Sequence, residues 1–354
     1  VADLLGRWHA SGVPHLVAAP DKFRGTVTAA EAAHAAANAG RDAGWTADEV
    51  PMSDGGEGLL DALGGTSRVT SVSGPLGAPV EAEWRMLEAE AGPTAVVEMS
   101  RAAGRALLPR PSGDDVLDAD TRGVGELLLA ARDAGAGRIV VGCGGSATTD
   151  GGRGAYSAVG SPAALEGIEL VVACDVTTPF ADAARVFAPQ KGASPAQVRF
   201  LSRRLDELAA RYRRETGVEV GVLAGAGAAG GLAGGLAALG ARIEPGFDLV
   251  ARIVRLAERL APADLVVTGE GHLDPPSFEG KVPGGVLELA RSRAGGALPV
   301  LCITGGSDRA LLANPPEGME VVSLNVRFGR ARARAETATL IGQVTTEALE
   351  RFCP

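Results

Sequence analysis

ADLVVTGEG at 263–271, LPVLCITGG at 298–306 and MEVVSLN at 319–325 are the three runs that decide the fold. Each is short, apolar and rich in β-branched residues, and helix-patterned sequence separates one from the next. Runs of this kind belong to consecutive parallel strands of an open α/β sheet covered by helices. Working outward, HLVAAPD at 15–21 leads into a helix that begins near Thr28, where Thr28 and Glu31 fit a capping box. TRGVGELLLAARDAGA at 121–136 and QVRFLSRRLDELAARYRRETG at 197–217 read as helices; RIVVGCGG at 138–145 and the run from Glu169 to Val176 read as strands. From 71 to 100 the texture changes to Gly-Pro turns between alternating segments, the pattern of hairpins instead of βαβ units.

A chain of 354 residues is too long for one ordinary core. The change of texture places a second domain inside the first: residues 1–70 and 260–354 form one α/β domain, and residues 71–259 form an inserted one. The helix at 120–134 fits either. Loops at the carboxyl ends of such strands are where α/β proteins bind ligands, so the loop motifs are expected to converge on one cleft.

Composition narrows the function. With 46% hydrophobic and 22% charged residues the chain is of ordinary globular type. A net charge of −9, with no basic block and few aromatics, argues against nucleic acid as partner. No apolar run reaches the ~18 residues of a membrane span, and the first residues lack a signal-peptide layout, so the expected location is cytoplasmic. Cys143, Cys174, Cys302 and Cys353 are far apart, without CxxC or zinc spacing. The first three sit in strand-like runs as buried thiols, Cys174 beside Asp175. His9, His15 and His34 lie outside any motif.

The chain has 34 Lys and Arg residues but only three lysines, and all three lie in loops containing Gly or Pro: Lys22 in PDKFRG, Lys191 in PQKG and Lys281 in EGKVPGG. An ammonium is a compact point charge suited to phosphate. Acidic glycine loops accompany them: SDGGEG with Asp54 and Glu57, GGSATTDGG with Asp150, ACDVTTP with Asp175, and TGEGHLD with Glu270 and Asp274 around His272. Lysines and carboxylates on such loops suit phosphate and Mg²⁺ chemistry. In GGSATTDGG, the backbone of Gly144 and Gly145 can cradle an anion. Ser146, Thr148 and Thr149 add hydroxyls, and Asp150 is a metal ligand, a base or a helix cap. Asp54 and Glu57 stand at a loop-to-helix junction, as ligands or as solvated caps. Asp175 follows a buried strand, where a carboxylate is poorly solvated. GAGAAG at 225–230 spells a dinucleotide fingerprint if GVEVGVLAG before it is a strand, and equally suits tight helix packing. A Walker A loop is absent, since Val282 follows Lys281 where a hydroxyl residue is needed.

Taken in order, APDKFRGTVTAAEAA, PMSDGGEG, SGPLGAPVEA, TRGVGELLLAARDAGAGRIVVGCGGSATTDGG, ACDVTTP with APQKGA, GAGAAGGLAGGL, and LVVTGEGHLD with EGKVPGGV resemble the type I glycerate kinase family, from about residue 17 to 305. The resemblance implies two α/β domains, one a flavodoxin/Rossmann-like open parallel sheet formed by both chain ends, with the active site in the cleft between them. It implies transfer of phosphate from ATP, with Mg²⁺, to D-glycerate, giving 2-phosphoglycerate. Lys22, Asp150 and Asp175 are then the catalytic candidates, with the two aspartates not assigned separately between base and Mg²⁺ ligand. Arg24, Lys191, Lys281, Gly144, Gly145, Ser146, Thr148 and Thr149 are candidates for phosphate or substrate contact. Asp54, Glu57, Glu270 and Asp274 are candidates for the metal or substrate shell. The family usually has Lys at the place of Arg24, often Asn at those of Thr149 and Thr178, and commonly Arg at that of His272. Segments between 154 and 171 and between 179 and 186 are shorter than usual. Formation of 3-phosphoglycerate, a non-catalytic hydroxy-acid sensor and a nucleotide-cofactor oxidoreductase are the alternative readings; oligomeric state is left open.

Overall fold

The structure, a computed structural model, describes residues 12–88, 92–293 and 296–352. His9 and Cys353 lie outside the described residues. Eleven strands occur among them: β1 (His15–Ala18), β2 (Thr46–Glu49), β3 (Thr66–Ser73), β4 (Pro79–Leu87), β5 (Thr94–Glu98), β6 (Arg138–Gly142), β7 (Glu169–Cys174), β8 (Arg242–Pro245), β9 (Leu265–Leu273), β10 (Val300–Ser307) and β11 (Met319–Ser323). The fold is mixed α/β with two sheets. No helix among the described residues is long and apolar enough to cross a membrane.

One unit is formed by the chain up to Asp54, by Asp61–Leu63 and by the chain from Phe247 onward; Gly55–Leu60 and Gly64–Gly246 form the other. The crossings fall at 54–64 and 246–247, where the sequence reading put them near 70 and 260. β3 pairs along its whole length with β4, so it belongs to the second unit.

The first unit holds a parallel sheet in the order β11-β10-β9-β1-β2. Numbered within that unit this is 2-1-3-4-5, the flavodoxin-like doubly wound order, whose switch point lies between β1 and β9. All three apolar runs that opened the reading are strands here. Thr28 and Glu31 form the capping box: Glu31 N donates to Thr28 Oγ1 at 3.1 Å and Thr28 N donates to Glu31 Oε2 at 2.8 Å. The helix it starts, Ala29–Asp42, buries Ala32, Ala33, Ala36 and Ala37. These side chains pack with Leu16, Val267, Ile303, Leu340 and Val344 in a single core.

The second unit is a six-stranded sheet, β3-β4-β5-β6-β7-β8. β3, β4 and β5 are antiparallel neighbours, as the turn-rich texture implies, and β5 to β8 run parallel. The helices Arg122–Asp133 and Pro195–Thr216 stand where periodicity puts them. Its core gathers Trp84, Leu127, Ile139, Val172, Phe180, Leu201 and Tyr212.

GVEVGVLAG is not a strand. Residues Val220–Val222 make a 3-10 turn, and the helix Ala228–Ala238 is interrupted at Ala229, Gly230 and Gly231, whose φ values are 53°, 71° and 90°. A Cβ on Gly230 would stand 2.8 Å from Thr149 Cα, and Gly151 N donates to Gly230 O at 3.1 Å. These glycines let backbone meet backbone in the protein itself, and the dinucleotide fingerprint has no strand before it.

Candidate active site

Candidate side chains gather in two clusters, one in each unit. In the first, the chain beyond β1 stays against β9: Ala19 N donates to Val267 O at 2.7 Å and Asp21 N to Gly269 O at 2.8 Å. That register brings Asp21 beside Glu270 at the switch point. Asp21 is 6% exposed and accepts at Oδ1 from Lys22 N at 2.7 Å and from Lys22 Nζ at 3.5 Å. The ammonium also lies 3.8 Å from Asp54 Oδ1, in the loop that follows β2. Burial, helped by the Asp54 charge and resisted by Lys22, pushes the Asp21 carboxyl up to about 6. Burial pulls the Lys22 ammonium down, but Asp21 and Asp54 outweigh it and the net direction is upward.

Glu270, on β9 opposite Thr304 of β10, is pushed up to about 7 by burial first and by the Asp21 and Asp274 charges, against the opposing pull of Ser277 and Lys281. Its Oε1 is buried with no hydrogen-bond partner. Such an atom costs about 1–3 kcal/mol unless something satisfies it. Asp274 is engaged locally: Ser277 Oγ donates to its Oδ1 at 2.9 Å, and Asp274 N donates to Ser277 Oγ at 3.0 Å, capping the turn Pro275–Phe278. Lys281 is half-buried at the start of the helix Val282–Ser292.

The metal set expected from sequence does not assemble. Glu57 falls in the second unit, Asp274 is a turn cap, and among the described residues no three Asp, Glu, His or Cys side chains could hold a metal together. Mg²⁺ needs less, one or two carboxylates plus phosphate oxygens and water. Glu270 with its unsatisfied oxygen, and Asp21 beside it, fit that demand. Asp21 was not singled out in the sequence; its place next to Lys22 at the end of an apolar run was the available signal.

In the second unit GGSATTDGG leads from β6 into the helix Arg153–Val159. Asp150 is 1% exposed, and four donors converge on its carboxylate. Oδ2 accepts from Thr121 Oγ1 at 2.8 Å, Gly154 N at 2.9 Å and Thr121 N at 3.1 Å, and Oδ1 accepts from Gly152 N at 3.2 Å. It clamps the starts of two helices, with Oδ2 taking three donors and Oδ1 one. Of the alternatives for Asp150, the structure supports the cap. Lys191 is likewise internal: its Nζ donates to Thr148 O at 2.5 Å and Ser146 Oγ at 2.6 Å, and burial pulls it down to about 7. These two bonds tie the loop down, and Lys191 also lines a pocket with Arg105 and Gln190. Thr149 is buried, its carbonyl accepting from Arg204 Nη2 at 3.1 Å, while Thr148 Oγ1 is buried without a partner. Gly144 and Gly145 keep part of their backbone exposed.

Asp175 also differs from expectation. β7 ends at Cys174, and the Asp175 side chain one residue on is exposed instead of poorly solvated. The Cys143, Cys174 and Cys302 thiols are buried and free, as their strand-like runs imply, and burial raises all three. Glu98, another residue missed in the sequence, is buried and holds the SDGGEG loop: its Oε1 accepts from Gly58 N at 2.7 Å and Leu60 N at 3.1 Å.

Comparison with known proteins draws these features together. The family model described as glycerate kinase family matches residues 16–164 and 161–352. The chain belongs to the glycerate kinase family. A relative from Escherichia coli named glycerate 2-kinase is 36% identical over 314 residues, 78% of this chain and 82% of that protein. One from Halalkalibacterium halodurans named glycerate kinase is 38% identical over 328 residues, 82% and 85% of the two chains. A crystal structure described as glycerate kinase 2 from Salmonella typhimurium LT2 superposes with a TM-score of 0.78 at 32% identity, covering 96% of this chain and 99% of that one. This glycerate kinase family member is therefore a kinase. In the segments between 154 and 171 and between 179 and 186, a 3-10 turn Pro162–Leu165 precedes β7, and the turn Phe180–Asp182 runs directly into the helix Ala183–Phe187.

Proposed function

We propose that the protein transfers the γ-phosphoryl group of Mg-ATP to the 2-hydroxyl of D-glycerate, giving 2-phosphoglycerate. The observation that carries this reading is the group of buried Asp21 and half-buried Lys22, Asp54 and Glu270 at the switch point of the first unit, with Glu270 Oε1 left unsatisfied by the fold. The Escherichia coli relative's name, glycerate 2-kinase, supports the position of transfer.

Phosphoryl transfer is largely positioning plus neutralisation of charge on the transferring group. Lys22, held between two carboxylates, presents its ammonium to phosphate oxygens in a site where burial strengthens the attraction. Glu270 and Asp21 are the residues that would hold Mg²⁺, which when bound supplies Lewis-acid neutralisation of phosphate oxygens. Lys281 adds a second ammonium near Glu270.

The test is a coupled assay of ADP release from Mg-ATP with and without D-glycerate, followed by phosphorus NMR of the product. Glycerate-dependent ADP release with a 2-phosphoglycerate signal is expected. ADP release indifferent to glycerate, or a 3-phosphoglycerate signal, would replace this reading.

A further inference from the structure

A pocket of about 470 Å³ opens beside the carboxyl ends of β9, β10 and β11 in the first unit, within the size range of small-molecule sites. Its polar lining includes Arg24, His272, Ser323, Asn325, Arg330 and Arg334, and no carboxylate is among its lining residues. Arg330 and Arg334 are four residues apart on the helix Arg330–Ala335 and so share a face. Arg332 between them pairs instead with Glu336 at 3.0 Å. Arg334 reaches the turn that carries Arg24: a Cβ on Gly25 would stand 3.8 Å from its Nη2. At Gly306 a Cβ would come 2.9 Å from His272 Nδ1 and 3.1 Å from Asn325 Nδ2, so a side chain there would crowd both groups.

Among the described residues Arg24, Arg330 and Arg334 form no ion pair, although the chain carries a net charge of −9. Gathering three guanidiniums on one concavity without a counter-charge is unfavourable unless an anion offsets it. A second feature points the same way. Ser323, 3% exposed, has an Oγ with no hydrogen-bond partner, and it lines this pocket.

We infer that this pocket binds the polyphosphate of the nucleoside triphosphate donor, with Arg24, Arg330 and Arg334 taking phosphate oxygens and the Ser323 hydroxyl donating to one of them. The inference rests on the ATP-dependent reading above. Planar guanidiniums suit phosphate oxygens bidentately, and three of them match a chain of phosphates better than the single carboxylate of glycerate. The pocket also adjoins the catalytic cluster through the chain itself: Phe23 and Gly271 line it, next to Lys22 and Glu270.

The experiment uses the whole protein, titrated calorimetrically with sodium tripolyphosphate and assayed at steady state with ATP and D-glycerate. In the double variant Arg330→Ala/Arg334→Ala, tripolyphosphate affinity should fall and KM for ATP should rise, each by about 10- to 100-fold, with KM for glycerate nearly constant. Arg334→Lys, which keeps the charge and loses the fork, should show a smaller loss in the same direction. Arg332→Ala removes equal charge outside the pocket and should leave both quantities unchanged. A wild type that does not bind tripolyphosphate, variants with unaltered affinity and KM for ATP, or a rise confined to KM for glycerate would overturn the inference. Arginine-dependent tripolyphosphate binding without ATP-dependent turnover would instead retain the pocket and remove the kinase reading.

Discussion

Glu270 and Asp21 both hold their protons more tightly than free carboxyls do, because burial opposes their charge. An acid whose folded pKa is raised adds stability below its unfolded pKa, and that stability is lost as pH rises through the folded value. The loss here spans roughly pH 4 to 7, so at pH 8 the fold bears the full cost of two buried charges. Glu270→Gln should therefore be more stable than wild type at pH 8, by about 1–3 kcal/mol, with a higher melting temperature, and about equally stable at pH 4, while turnover falls by about 100-fold or more. Equal melting at pH 8 would mean that Glu270 carries no such cost. Lys191 behaves in the opposite sense. Its depressed pKa means that the unfolded chain binds the extra proton between about pH 7 and 10.5, so this residue makes stability rise with pH across that window. Lys191→Met should cost about 1–3 kcal/mol in denaturant titrations, since Ser146 and the Thr148 carbonyl lose their donor. Lys22 and Glu270 stand out as candidates in the sequence because glycine, proline and apolar runs frame them. For Asp150 a helix cap was one of three readings open in the sequence, and nothing there could choose among them, because the sequence does not show where the N–H groups of Thr121, Gly152 and Gly154 point. Asp21 acquires its setting from the register of β1 on β9, a long-range pairing that no local pattern displays.

At the level of strands and helices, period and punctuation carried most of the fold. Alternating apolar runs and Ala/Leu-rich stretches define the parallel strands and long helices, and Gly-Pro turns mark the antiparallel ones. The segment around GAGAAG escaped because an Ala/Gly-rich run has little periodicity, and its conformation is set by the loop packed against it. Gly230, with φ of 71° and no room for a Cβ beside Thr149, makes that packing testable. Gly230→Ala should destabilise by about 2 kcal/mol or more, visible as a lowered melting temperature. Thr28→Ala, which removes one half of the capping box, should cost only about 1 kcal/mol.

At the scale of the molecule, the two cores described above, one in each unit, have no residue in common. The inserted arrangement was readable from the change of texture near residue 70, but the crossings were not, because a crossing is defined by contacts and not by composition. Separate cores predict departure from two-state unfolding. In calorimetry, Glu270→Gln should move one component of the transition and Lys191→Met the other; a single peak shifted alike by both would contradict this. The position of β1 between β2 and β9 has a consequence for biosynthesis. A ribosome releases β1 and β2 long before Leu265 is made, whereas all six strands of the other sheet emerge in one uninterrupted stretch. The inserted unit is thus able to mature while its host waits as a half-built sheet. A nascent chain stalled in that interval would display β1 with one bare edge, a template for the sticky strand-to-strand association that chaperones exist to prevent.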